Sequence, residues 1–133
     1  MAQVTQTLDT TALRLRSNAT VEALPLNDDF WPRLAQGALG DFHHEFLVTQ
    51  HSFSGRWAQS EMHPNGDEII CLLAGSATFV LEHPDGAEHL ALDRLGALVV
   101  VPQGIWHHAY SEAGCTLLFI TAGEGTQHRP APE

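Results

Sequence analysis

The chain contains no lysine: all six basic residues among its 133 are arginines, Arg14, Arg16, Arg33, Arg56, Arg94 and Arg129. That excludes Schiff-base catalysis, a pyridoxal-phosphate anchor and a Walker-type phosphate loop, each of which needs an ε-amino group. There are only two cysteines, Cys71 and Cys115. Both sit in apolar, strand-like runs, so small buried thiols are expected rather than a disulfide, in keeping with a cytoplasmic location. No apolar run approaches the roughly 20 residues of a membrane helix, and the polar start from Met1 to Thr11 does not read as a signal peptide. Sixteen acidic residues against six basic ones give a formal charge of −10. Such a chain repels a phosphate backbone and anionic lipid, so neither nucleic acid nor a membrane is an expected partner.

What is present is turn chemistry at short intervals. Ser54-Gly55, Pro64-Asn65-Gly66-Asp67, Ala74-Gly75-Ser76, Pro84-Asp85-Gly86, Pro102-Gln103-Gly104 and Ala113-Gly114 recur at a spacing of about ten residues, the rhythm of an all-β sandwich or barrel. Between them lie β-rich runs from Glu68 to Leu73, Ala77 to Glu82, Ala97 to Val101 and Cys115 to Thr121. Turns this short make neighbouring strands antiparallel. Before residue 53, strands are predicted at Leu13 to Leu15 and Val21 to Leu26, and a short helix near Asp28 to Ala35 with an Asp cap and an early proline. A further strand from Asp41 to His51 leads into the barrel. The tail from Gly123 to Glu133, rich in Gly, Pro and charge, is expected to fray. At this length a single domain is expected.

One hairpin concentrates metal-ligand chemistry. Glu61 and His63 are two apart and so share a strand face, and the Pro-Asn-Gly-Asp turn returns Glu68 beside them. Trp57 and Gln59 lie on the face of Glu61 and His63, while Ile70 and Leu72 lie on that of Glu68. Carboxylates in such surroundings repel one another and lose solvation unless protonated or matched by a cation, and a divalent metal resolves that conflict. A polar strand face in solvent is the bland alternative. His107 or His108, adjacent and just past the Pro-Gln-Gly turn, offers a further donor, but only one of the pair can face inward. Of the nine histidines, His43, His44, His51, His83, His89 and His128 lack a partnered spacing and are expected in surface or hydrogen-bonding roles.

These residues fall on two motifs, and through them the chain resembles the cupins, small double-stranded β-helix or jelly-roll barrels. The first motif runs Gly, five residues, His, any, His, three or four, Glu, six, Gly. Gly55, Glu61, His63, Glu68 and Gly75 match it, with Glu61 where the family usually has its first His. The second runs Gly, five residues, Pro, any, Gly, two, His, three, Asn; Gly96, Pro102, Gly104 and His107 match it, with Ser111 in place of the Asn. The resemblance covers residues 41–122, flanked by an N-terminal extension (1–40) and a C-terminal tail (123–133).

The resemblance implies an all-β cupin barrel holding one divalent metal, with Glu61, His63, Glu68 and His107 as ligand positions, and it selects His107 over His108. Without Glu61 the set is two histidines and one carboxylate, the arrangement of iron(II) oxygen chemistry; with it, the site is neutral around the ion and suits Mn, Fe or Zn and tolerates Ni. Glu61 has a second possible role as a general base beside the metal, and Trp57 and Gln59 are the candidate substrate contacts. The expected function is a small-molecule enzyme, an oxygenase, isomerase or lyase; the alternative is a non-catalytic binding or sensor cupin. A homodimer is expected, with residues before Asp41 covering a barrel face or joining a neighbour's sheet.

Overall fold

The computed structural model describes residues 2–133. Its strands are β1 (Thr11–Leu15), β2 (Val21–Pro25), β3 (Phe46–Arg56), β4 (Gln59–Met62), β5 (Glu68–Gly75), β6 (Ala77–His83), β7 (Gly86–Leu92), β8 (Leu98–Val101), β9 (Trp106–Thr121) and β10 (Gln127–Pro130), with one short helix, α1 (Phe30–Ala35), between β2 and β3. Every pairing is antiparallel. The backbone hydrogen-bonded path runs β10-β4-β9-β3-β1-β2, with β5 joining β8 and β9, and β6 joining β7 and β9.

Strand β9 is the hub. Its first residues pair with β4, β6 and the end of β3, and its last residues pair with the start of β3 and with β5. The Ala113-Gly114 pair, expected to be a turn, is a bend inside this continuous strand, with Gly114 at φ 99°. Ser54-Gly55 likewise lies inside β3, where the register shifts between Phe53 and Gly55. Both are corners at which one strand passes from one side of the barrel to the other, a job that bulges and glycines do without ending the strand. Ser111, in the position of the family's Asn, locks this corner: its hydroxyl donates to the Ser76 carbonyl (2.6 Å) and accepts from the Gly114 amide (3.0 Å).

Alternation along the strands builds the core. Ile70 and Leu72 on β5, Phe79 and Leu81 on β6, Val99 and Val101 on β8, and Leu117 and Phe119 on β9 all point inward and are buried. Each contributes on the order of 1.5–3 kcal/mol by leaving water. A second, smaller cluster of Ala12, Leu24, Phe30, Phe42 and Leu47 joins the N-terminal hairpin and α1 to β3. The N-terminal strands therefore extend the chain's own sheet, β1 pairing with β3. Asp29 occupies the N-cap of α1 without making a side-chain capping bond. The strand expected from Asp41 begins at Phe46, because Phe42 and His44 adopt positive φ. The C-terminal tail does not fray: β10 pairs with β4 along its length.

Candidate metal centre

Two turns are clamped together to make the site. The backbone amide of Gln103 donates to the Asp67 carboxylate (2.8 Å) and the Gln103 side-chain amide donates to the Pro64 carbonyl (2.8 Å). The Gly104 amide donates to the His63 carbonyl (3.0 Å). These bonds fasten the β4–β5 turn to the turn that opens β9, so the two motifs converge. Gly66 is required here for closeness, not for a positive φ as its turn suggests: a Cβ would lie 2.4 Å from the Ala122 Cβ.

His63, Glu68 and His107 meet inside, each at most 4% exposed. The His107 Nε2 lies 3.0 Å and the His63 Nε2 3.3 Å from the Glu68 Oε1, and one ligand atom from each residue falls within 4.8 Å of the others. The remaining polar atoms of all three are spoken for. Thr121 donates its hydroxyl to the Glu68 Oε2 (2.5 Å). The His107 Nδ1 faces the Ile105 carbonyl (3.2 Å), which can only accept, so Nδ1 carries the proton. The His63 Nδ1 faces the Thr126 hydroxyl (2.8 Å). That hydroxyl spends its own proton on the Gly123 carbonyl (2.8 Å), so it too accepts from the ring.

Three atoms are left over: the His63 Nε2, the Glu68 Oε1 and the His107 Nε2 are buried without an aligned hydrogen-bond partner. Their contacts with one another are close approaches of lone pairs rather than directed bonds. Buried polar atoms are rarely left this way. Separations of 3.0 and 3.3 Å fit atoms each about 2.1 Å from a shared ion. The donors therefore fit a divalent metal.

Without an ion the trio can share a proton. Burial pushes the Glu68 carboxyl up, but His107 and His63, once protonated at Nε2, donate to it and add their charge, which outweighs burial and holds Glu68 at about 2. Burial pushes His107 down, yet the Glu68 carboxylate, the Ile105 carbonyl and the charge of Glu61 raise it above the ordinary 6.5. A carboxyl held low adds stability above its unfolded value of 4.5, lost as pH falls toward about 2. An imidazole held high adds stability that is full below 6.5 and lost as pH rises through the raised folded value. The ion-free protein should therefore lose melting temperature as pH rises above 6.5, and an added divalent ion, which requires His107 deprotonated, should restore more at the upper end. Thermal melts with chelator and with Zn(II) check this; an ion-free melting temperature that rises over that range contradicts it.

The other sequence candidates lie around this trio. Glu61 stands opposite His107 in the β4–β9 register and on the same face, but outside the tight group. A third exposed, it has its Oε2 3.7 Å from the His128 Nε2. Trp57 is half-buried, its ring 6.2 Å from that of His107 and 5.6–6.3 Å from Phe53, Phe79 and Phe119. Gln59 is exposed at the rim, opposite Pro130. His108 faces away from the trio but is also buried. Its Nδ1 is 2.7 Å from the Glu82 Oε2, to which Ser60 also donates, and Arg129 bonds the other Glu82 oxygen at 2.9 Å.

Sequence reasoning missed Thr121 and Thr126, while His128 takes the surface role expected of it. Thr121 lies on the inward alternation of β9 beyond Leu117 and Phe119 and was accessible from that pattern. Thr126 sits in a tail whose composition signals a loop, and nothing local announces its partner.

No protein-family model matches the chain, and no curated protein matches it. Among solved structures, it is similar to a mutant form of the Bacillus subtilis oxalate decarboxylase at 17% identity and a TM-score of 0.53, over 64% of this chain and 23% of that one. An oxalate oxidase matches at 14% and 0.51, over 61% and 44%. A cupin-2 domain protein from Shewanella frigidimarina matches at 18% and 0.49, over 57% and 69%. The chain thus spans under half the length of the decarboxylase and oxidase chains. These two neighbours, both cupins, share its curled antiparallel sheet. The likeness is one of fold: the chain is a cupin-type β-barrel.

Proposed function

We propose that the chain is a metal-dependent small-molecule enzyme, an oxygenase, isomerase or lyase, that holds one divalent ion, Fe, Mn, Zn or Ni, on His63, Glu68 and His107. The observation that carries this reading is the convergence of three buried, unpartnered ligand atoms. His63, Glu68 and His107 would hold the ion, which would supply Lewis-acid or oxygen chemistry when bound. The chain's own residues supply the rest. Glu61, at the rim and facing His107, takes or returns a proton. Trp57, with Phe53, Phe79 and Phe119, makes an apolar wall that excludes water from the imidazoles, and Gln59 offers an amide to a bound ligand.

The arginines narrow the ligand class. Arg14 and Arg16 pair with Glu22 and Glu45, Arg129 with Glu82, and Arg56 lies over Tyr110. Arg33 belongs to α1 and Arg94 to the β7–β8 turn. None of these arginine contacts is with His63, Glu68, His107 or the aromatic wall. This favours a ligand with one metal-binding oxygen function and an apolar body over a dianion such as oxalate. The test compares metal-loaded with metal-stripped protein against oxalate and a panel of aromatic and aliphatic keto and hydroxy acids. It reads product formation and quenching of tryptophan fluorescence. Metal-dependent turnover supports the enzyme; saturable binding without turnover overturns it in favour of a sensor.

We also propose a homodimer, through a different surface from the one expected. Ile69 and Leu73 of β5 and Leu98 and Val100 of β8 point outward, 36–57% exposed, with Ile69 opposite Val100. Among the described strands β8 pairs only with β5, leaving an apolar edge that soluble monomers seldom carry. Light scattering should give a dimer mass at micromolar concentration and a monomer mass for Val100→Lys. A wild-type monomer overturns this. The free thiols of Cys71 and Cys115 support a reducing, cytoplasmic setting.

A further inference from the structure

We infer that the C-terminal segment from Gly123 to Pro130 is a strap whose docking and metal binding are coupled, with Thr126 as the positioning residue for His63. The inference rests on the metal reading above and concerns what sets the affinity of that site. His63 follows the last residue of β4, and no strand pairing of its own fixes its ring. The direct hold on its outer nitrogen is the Thr126 hydroxyl at 2.8 Å. Because that hydroxyl donates to the Gly123 carbonyl, it accepts from Nδ1 and forces the tautomer in which Nε2 is bare and turned toward Glu68. An outer partner of this kind fixes ring orientation and raises the basicity of the ligating nitrogen.

Thr126 is in place only when the strap is docked. Strand β10 pairs with β4 from Gln127↔Met62 to Pro130↔Gln59, and the Ala131 amide donates to the Ala58 carbonyl (3.0 Å). At the other end the Asn65 side chain donates to the Glu124 carbonyl (2.9 Å), and the His43 Nδ1 lies 3.0 Å from the Glu124 carboxylate. In the middle, His128 stands opposite Glu61 in the register and approaches its carboxylate. The strap therefore touches a ligand, a rim carboxylate and the turn that carries both. Most of β10 is exposed and its pairing is with one short strand, so it is suited to open without unfolding the barrel. Whatever factor docking adds to metal affinity, the metal must add to docking.

The experiment uses the full chain and Zn(II), with Co(II) as a spectroscopic probe. By chelator competition, Thr126→Val should weaken Zn(II) binding about 10–100-fold and alter the Co(II) absorption spectrum, while Thr126→Ser, which keeps the hydroxyl, should stay within about threefold of wild type. In the wild type, saturating Zn(II) should slow hydrogen exchange of the β10 amides at least about tenfold relative to metal-stripped protein, a measurement that needs no variant to fold. Zn(II) affinity unchanged in Thr126→Val, or β10 exchange indifferent to Zn(II), overturns the strap while leaving the metal site standing. A wild type that takes up no Zn(II) or Co(II) overturns both.

Discussion

Replacing His107 with alanine should lower affinity for a divalent ion by more than the roughly 100-fold reached by outer contacts, whereas His108→Ala should leave the ion in place and weaken the fold. The two neighbours differ because strand alternation sends them to opposite faces. His107 directs a bare Nε2 at Glu68 and is fully buried. His108 is committed to Glu82, a carboxylate also bonded by Ser60 and Arg129. Deleting the imidazole leaves Glu82 one partner short in a half-buried setting, a loss of about 1–3 kcal/mol. His63→Ala should follow His107→Ala. Metal content by elemental analysis and stability by denaturant titration separate the effects. Ion loss in His108→Ala together with retention in His107→Ala would reverse the assignment.

Glu61→Gln should lower turnover of a substrate by about 10²–10⁴-fold while the ion stays bound, the loss typical of a removed proton transfer. The geometry favours this role. Glu61 is a third exposed at the rim, lies opposite His107, and remains outside the trio whose ligand atoms meet. If it is instead a fourth ligand, Glu61→Gln should release the metal, since an amide oxygen is a poorer donor than a carboxylate, and Glu61→His should restore it. Metal retention measured beside turnover distinguishes the two. A variant unchanged in both makes Glu61 a spectator.

The parts legible in the sequence were those where local chemistry and tertiary structure agree. Strand alternation placed Ile70 and Leu72 on the face of Glu68, which is the inward one, and the turn residues of the two motifs marked the hairpin that carries His63 and Glu68. The reading failed where tertiary pairing overrode local signals. Gly114 and Gly55 look like turn residues but serve as bends within β9 and β3, because a strand that changes sides of a barrel needs a kink and not an end. Gly66 looks like a torsion requirement and is a packing one, set by Ala122, far along the chain. The tail reads as loop from its Gly and Pro content. Its order comes from pairing with β4 and from the latches at Asn65 and Ala58, contacts no local window contains. The same distance in sequence hid Thr126 from His63.

The most direct measurement is the divalent-metal content of protein prepared without a histidine tag, as isolated and after reconstitution, by elemental analysis against protein concentration. The convergence of His63, Glu68 and His107 predicts about one ion per chain, lost when His63 or His107 becomes alanine. Wild-type protein that carries no ion in either preparation would contradict the account at its centre.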